Sequence, residues 1–536
     1  MIKKIIYGNE AKQALQKGID AVANCVRVTL GAKGRFVALD KEYTAPLITN
    51  DGVTIAKEIK LADEFENMGS KLIYEASAKT NADSGDGTTT AIVLTQSLVS
   101  EGLEYALNGT NPILIKKGME KAVDKVVEYI KQTAISIRGA EDISKIATIS
   151  SRDTTFGEII SKIIEEVGND VVITVEDSNT GETTFEIVEG LQFDKGYLAP
   201  HMVTNSDKMI AEYDNPYILI TDQKITNIQD ILPLLEAVAQ TGRGLLIISD
   251  EISNEALGTL IANKLRGSLN IVCVKPPKFG EMRELWLEDI AIVTGGKYCS
   301  SKLGMKIKDI ELSDLGTAKK IKVDKDSTTI IDGNGSSEMI EQRINAIKNA
   351  IPGLTTEFDR EKYKERLAKL TNGVAVIKVG ANTEIELNDK KLRLEDALSA
   401  TRAAIDEGIV AGGGIALLNA SIMLDGYINT LNQEEKIGAV IVKNALQYPF
   451  VRIVENAGFN SDEMLKKLSE QSSNISNCGF DVYSEEFVDM IAKGIIDPAK
   501  VTRTALQNAL SVAGMILTTD VLIADDKSIN KEYSTN

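Results

Sequence analysis

Eight residues, SGDGTTTA at Ser84–Ala91, combine side chains and backbone freedom suited to holding an anion. Gly85 and Gly87 bracket Asp86, and Thr88, Thr89 and Thr90 follow at once. Glycine reaches backbone angles closed to other residues, so successive N–H groups here can converge as a nest. If a helix starts at Thr88, its first N–H groups lack intrahelical partners and its dipole favours negative charge. A carboxylate beside phosphate needs a cation between them, and Mg²⁺ with oxygen ligands suits that place. The stretch therefore reads as a nucleotide–metal site with Asp86 on the metal. The plainer reading is a glycine loop with threonine capping. No G-x-x-x-x-G-K-[ST] occurs, which excludes the usual P-loop.

Other segments offer matching parts. VTLGAKGR (28–35) is a second glycine loop, TNDGVT (49–54) places Asp51 in a turn, residues 392–417 carry Asp396 and a triple glycine, and GIIDPAKV (494–501) sets Asp497 before a proline-started helix. Singly, each aspartate reads as a cap or a solvated charge.

Several elements must position these groups. Residues 64–80 and 88–107 read as helices flanking the Ser84 loop. Ala91–Leu107 and Val501–Ile523 are apolar on more than one face, as helices deep in a bundle are. The middle differs: Pro216–Asp222, Gly244–Asp250 and Asn270–Lys275 are short β-branched runs alternating with helical segments at 227–241 and 254–266. That rhythm signals parallel strands in an α/β unit. A helix-rich start and end around an α/β middle suggest one domain interrupted by another.

The 536 residues suggest about three domains. A net charge of -18 argues against a nucleic-acid binder. Cys25, Cys273, Cys299 and Cys478 are far apart, and His201 is the only histidine, so neither a Cys/His zinc site nor a disulfide scaffold is expected. The N-terminal residues lack a signal-peptide apolar run. No membrane-spanning stretch is expected, and the reading is a soluble cytoplasmic protein.

In order and spacing, VTLGAKGR, TNDGVTIAKEI, FENMGSKL, GDGTTTA, VITVED, EGLQFDKGYLAP, TNGVAVIKVG, EDALSATRAA, EGIVAGGGIAL and IIDPAKVTR resemble the group I chaperonins of the GroEL type, over residues 2–525. The resemblance implies a multidomain α and α/β fold. A helical equatorial ATPase domain (1–132, 407–526) is interrupted by a small α+β intermediate domain (133–189, 374–406) and an α/β apical domain (190–373), with a flexible tail at 527–536. It implies ATP, Mg²⁺ and K⁺ as cofactors. Thr29, Leu30, Gly31, Ala32, Asn50, Asp86, Gly87, Thr88, Thr89, Thr90, Gly413, Asp481, Val482, Tyr483 and Asp497 match nucleotide-contacting positions, with Asp86 on the metal. Asp51 and Asp396 match the aspartates that flank the attacking water. Ala32 stands in place of the family's proline, Asn50 of a common lysine, and Asp481–Tyr483 of Asn-Ala-Ala, so bulk is expected at the base pocket.

The helical segments of the middle region carry apolar stripes wider than one face on a sheet requires, at ~100° per residue. They are either covered by a second layer or exposed. The resemblance favours exposure, as a groove for non-native polypeptide and a co-chaperonin of the GroES type. It assigns Leu232, Leu235, Leu257, Ile261 and Ala262 to that groove, with Tyr197, His201 and Met202 nearby. Gly190, Gly373 and Gly408 match hinge positions. The expectation is an ATP-driven folding chaperone whose partners are copies of itself, in seven-membered rings possibly stacked in pairs, the co-chaperonin and unfolded clients. The alternatives are a ring scaffold or peptide-binding module with impaired hydrolysis, and a metabolic ATP-dependent transferase.

Overall fold

The structure, a computed structural model, describes residues 3–41, 46–137, 139–168, 171–178, 180–206, 208–354, 356–472 and 477–525. The tail expected at 527–536 lies outside these residues. The chain forms two compact units. One takes the chain up to Glu165, Asp177–Thr183 and the chain from Val379 onward; the other takes Glu166–Glu176 and Thr184–Lys378.

The first unit is built on long helices: Gly8–Val26, Glu64–Ser84, Thr88–Leu107, Pro112–Thr133, Gln433–Ala445 and Ala499–Thr518. Their starts are chemically marked. Asp63 accepts from the Phe65 and Glu66 N–H groups, and Asn111 caps a helix that opens on Pro112. Helices Gly8–Val26 and Glu64–Ser84 approach closely through glycine: a Cβ on Gly18 would lie 1.8 Å from the Glu66 carbonyl oxygen. Leu15, Ile19, Ile73, Leu94, Leu98, Met119 and Leu506 fill a continuous core between the helices. Strand Lys3–Tyr7 pairs antiparallel with Val521–Asp525, which joins the two ends of the described chain in one unit.

One window, Gln433–Asn456, has the length and apolar composition of a membrane span, which corrects the expectation that no such stretch exists. It folds as two helices, Gln433–Ala445 and Tyr448–Asn456, and is half buried inside the protein, as core helices are.

The second unit centres on an eight-stranded mixed sheet in the order Ile271–Val274, Leu245–Ile248, Tyr217–Thr221, Gly316–Val323, Thr328–Gly333, Gly190–Phe193, with Tyr298–Cys299 and Ala211–Asp214 pairing beside this path. The three β-branched runs are parallel neighbours, as their rhythm predicts. The other principal pairings are antiparallel. Leu245–Ile248 and Ile271–Val274 are buried at every residue, as parallel strands covered on both faces are. The expected multidomain α and α/β fold is borne out.

Candidate functional site

The Ser84–Thr90 stretch ends one helix and starts the next. Gly85 closes Glu64–Ser84 with φ +67°, and Gly87 opens Thr88–Leu107 with φ +83°, both in the left-handed region. There is no room for a side chain at either glycine: a Cβ on Gly85 would sit 2.3 Å from Ser399 Cβ, and one on Gly87 2.7 Å from Val501 Cγ1. The loop is thus wedged between helices Glu384–Glu407 and Ala499–Thr518.

Between the glycines, Asp86 Oδ1 accepts from the Gly87 N–H at 2.5 Å and Oδ2 from the Ser150 hydroxyl at 3.3 Å. Ser84 donates to the Asp86 carbonyl at 3.1 Å and fixes the turn. Asp51 caps helix Gly52–Glu58. Its Oδ2 accepts from the Thr54 N–H at 2.9 Å and the Thr54 hydroxyl at 2.5 Å. Its Oδ1 takes only two long bonds, both 3.4 Å, from the Val53 N–H and the Thr88 hydroxyl, and is the oxygen more open to a further donor. The Thr29 and Thr89 hydroxyls meet at 3.4 Å.

Electrostatics bind these carboxylates into one cluster. Burial raises the Asp86 pKa, as does the charge of Asp51, against the Gly87 N–H, the Ser150 hydroxyl and Arg152. Burial first, then Asp86, Asp51 and Glu395, push Asp396 well above the ordinary carboxylate range. Asp497 is pushed up to about 7 by burial and by Asp86. Carboxylates held this close strain against one another, and a cation among them would relieve it. Among the described residues no three His, Cys, Asp or Glu side chains are arranged to hold an ion unaided. An ion on Asp86 would therefore complete its shell from phosphate and water oxygens, as Mg²⁺ does. The residues fit such a group.

A cavity of about 570 Å³ opens beside the loop. Its wall includes Leu30, Gly31, Ala32, Asp86, Gly87, Thr90, Gly413, Asp481, Val482, Tyr483 and Asp497 of the expected residues. Thr29, Asn50, Asp51, Thr88, Thr89 and Asp396 stand off that wall, and of these Asp51 and Asp396 are tied to it through the field of Asp86. Gly413, at φ +65°, lets Met490 close in: a Cβ there would meet Met490 Cε at 2.8 Å. The bulk expected at the base pocket stands on the cavity wall. Asp481 is buried in its own hairpin; burial pushes its pKa up, but the Tyr483 N–H and the Ser484 hydroxyl and N–H outweigh this and lower it. Val482 packs into an apolar cluster, and Tyr483 stands on the rim, its hydroxyl donating to the Ala32 carbonyl at 3.0 Å.

Two site residues escaped the sequence reading. Ser150 reaches Asp86, and Arg152 Nη2 reaches the carbonyls of Thr29 at 3.3 Å and Gly31 at 3.1 Å. The only signal was an arginine in the hydroxyl-rich run TISSRDTT.

The family model of the TCP-1/cpn60 chaperonin family matches residues 22–527. The chain belongs to this family. The resemblance read from the sequence is borne out, and with it a chaperone role. Among solved structures, the chaperonin gp146 from the bacteriophage EL 2 (Pseudomonas aeruginosa), determined in the presence of ATP-BeFx, has a similar fold. The TM-score is 0.67 at 20% identity, covering 98% of this chain and 99% of that one.

In the chaperonin's second unit the expected groove residues do not all face outward. Helix Leu232–Thr241 begins five residues later than the sequence reading, after a 3-10 turn at Ile228–Asp230 and with Pro233 in its first turn. In that register Leu234, Leu235 and Val238 turn into the core. Leu235 is 6% exposed and Met202 is fully buried, with Met202 Sδ accepting from the Cys273 N–H at 3.4 Å. The expectation that these two offer apolar surface is corrected: both are core. Leu232, Leu257, Ile261, Ala262 and Tyr197 are half-buried, and His201 is exposed. On Asn254–Leu265, Leu257, Ile261 and Leu265 follow at i, i+4 and i+8 on one stripe. It ends at Leu265, which is 67% exposed and belongs to the over-wide apolar stripe of this segment but not to the residues the resemblance assigned to the groove.

Of the hinge glycines, Gly190 is buried at the start of its strand, and Gly373 (φ +61°) and Gly408 (φ +80°) hold left-handed backbone.

Proposed function

We propose that this chaperonin is an ATP-dependent folding machine of the cytoplasm. It hydrolyses ATP at the Asp86 cavity, captures non-native polypeptide on half-exposed apolar residues of Asn254–Leu265 and the neighbouring helix, and folds it in a chamber capped by a co-chaperonin of the GroES type. The observation that carries this reading is the cavity itself: a glycine-bracketed Asp86 at a helix start, with Asp51 and Asp396 within its field. Members of the family are ATPases, and the gp146 chaperonin was crystallised with an ATP analogue, which supports the same use here.

Each residue has a task in this reading. The open N–H groups at Thr88–Thr90 and the Gly85–Gly87 turn receive phosphate oxygens. Mg²⁺ on Asp86, when bound, offsets the phosphate charge. Asp51 Oδ1 orients a water, and Asp396, its proton affinity raised by burial and by its acidic neighbours, accepts the proton from it. Gly413, Asp497 and the Asp481–Tyr483 hairpin bound the nucleoside. Rings of seven subunits, stacked or single, K⁺ beside the phosphates, hinge motion at Gly190, Gly373 and Gly408, and the equatorial, intermediate and apical division belong to the same proposal. Size measurement and steady-state ATPase assay on one preparation test it. A ring with Mg²⁺-dependent turnover that rises or falls with unfolded client is expected. A monomer, or a ring without turnover, sinks it.

A further inference from the structure

The loop that follows helix Gly8–Val26 is held through its carbonyl oxygens by side chains from three other segments. Asn456 Nδ2 donates to the carbonyls of Arg27 and Leu30, both at 2.9 Å. The Tyr483 hydroxyl holds Ala32, and Arg152 Nη2 holds Thr29 and Gly31. Asn456 and Tyr483 are neutral. Arg152 instead places a full positive charge on two neutral carbonyls, and among the described residues no carboxylate lies within ion-pair distance of it.

Its position is unusual in three further ways. Arg152 caps helix Ala140–Ser151 in the left-handed region, at φ +56°, where a residue with a Cβ is strained. Strain of this kind collects at functional sites. The residue lines the cavity together with Asp86, Gly87 and Thr90. Burial and the nearby Arg393 both press on its cationic form and lower its pKa, so an arriving anion would be favoured there. Among the described residues, the only other cation on the wall is Lys493. The Ser84–Thr90 loop has no lysine, and Asn50 precedes Asp51. A nucleotide polyphosphate carries more negative charge than one divalent cation offsets, in a site already rich in carboxylates.

We propose that Arg152 is a phosphate-contacting residue of this site, parked on the Thr29 and Gly31 carbonyls until a nucleotide polyphosphate enters. The proposal rests on the nucleotide reading above. It adds a cation from outside the glycine loop, and it makes the Thr29–Ala32 loop lose one of its three holds when the cavity fills. Guanidinium suits the task because its fork of donors meets phosphate oxygens in pairs.

The test is calorimetric binding of a non-hydrolysable ATP analogue with Mg²⁺ to the full chain, with the unfolding temperature of each apo variant measured alongside. Arg152→Gln keeps amide donors for the two carbonyls and removes the charge; Arg152→Lys keeps the charge. The expected result is an affinity loss of about tenfold or more in Arg152→Gln, as one charge-assisted contact is lost, and recovery of most of it in Arg152→Lys. Wild-type affinity in Arg152→Gln overturns the proposal, because the residue then serves only as a clasp. Equal losses in both variants overturn it too, since charge is then not what the site uses. A wild-type chain that binds no nucleotide removes the parent reading itself, and this proposal with it, an outcome separate from either variant result.

Discussion

The Ser84–Thr88 turn and the helix Asn254–Leu265 are suited to ligands of opposite kinds. The turn is polar and tightly packed: it offers N–H donors, the hydroxyls of Ser84 and Thr88 and one carboxylate, and neighbouring atoms stand where Cβ atoms on its two glycines would be. The helix offers a graded apolar stripe, from buried Ala256 and Leu260 through half-buried Leu257 and Ile261 to exposed Leu265. A fixed polyphosphate rewards the first design, because pre-placed dipoles need not reorganise on binding. Clients of varied sequence reward the second, because apolar contact is non-directional. Substitutions should therefore act as switches in the turn and as gradations on the helix.

The largest expected effect is at Asp86. Asp86→Lys puts a cation where the metal would sit, and Mg²⁺-dependent nucleotide binding should vanish by calorimetry. Unchanged binding would reduce the turn to a helix cap. Next is Asp396→Ala. ATP affinity should stay within a few-fold of wild type while turnover falls about 100-fold or more, the scale of a lost general base. Near-normal turnover would remove Asp396 from the chemistry.

How much of each region the sequence disclosed follows from the range of the forces involved. The turn was readable because Gly85, Asp86, Gly87 and Thr88 act through backbone angles and a helix start, all within a few residues. Ser150 and Arg152 were not, because they arrive from 64 and 123 positions away from the groups they touch. The parallel strands of the second unit announced themselves as β-branched runs, since burial on both faces leaves no alternation to misread. Leu235 was assigned outward by the resemblance, while its own pattern left open a second layer over the helix; which flank the core covers is decided by distant segments and is not written in the helix itself. The Gln433–Asn456 window shows a second limit, since composition does not reveal the break before Tyr448.

The helices supply the third prediction. Leu235→Ala should cost about 2–5 kcal/mol of stability, as buried leucine truncations do. Leu265→Ser should change stability by no more than about 0.5 kcal/mol, as exposed substitutions do, while weakening capture of an unfolded client. Ile261→Ser should fall between the two on both measures. Thermal unfolding and client binding on the same three variants decide it. A Leu265→Ser chain with intact capture would move the client surface off this stripe.

A last contrast separates the two regions by pH. Asp497 has a native pKa of about 7, against an ordinary value of 3.8. Between these values the native chain keeps a proton that the unfolded chain has released. Stability from this group therefore falls as pH rises from about 4 to about 7 and levels off above, because native proton uptake exceeds that of the unfolded state only in this window. Asp497→Asn keeps the side chain's size and does not titrate. In the absence of nucleotide and divalent cation, its unfolding temperature should gain on that of wild type as pH rises through the window and hold a constant lead above it. Leu235→Ala removes apolar contacts alone, so its deficit should be the same at every pH. Parallel profiles for wild type and Asp497→Asn would mean that the carboxylate is solvated in the cavity rather than strained, and the contrast between a charge-stressed site and an uncharged apolar core would lose its physical basis.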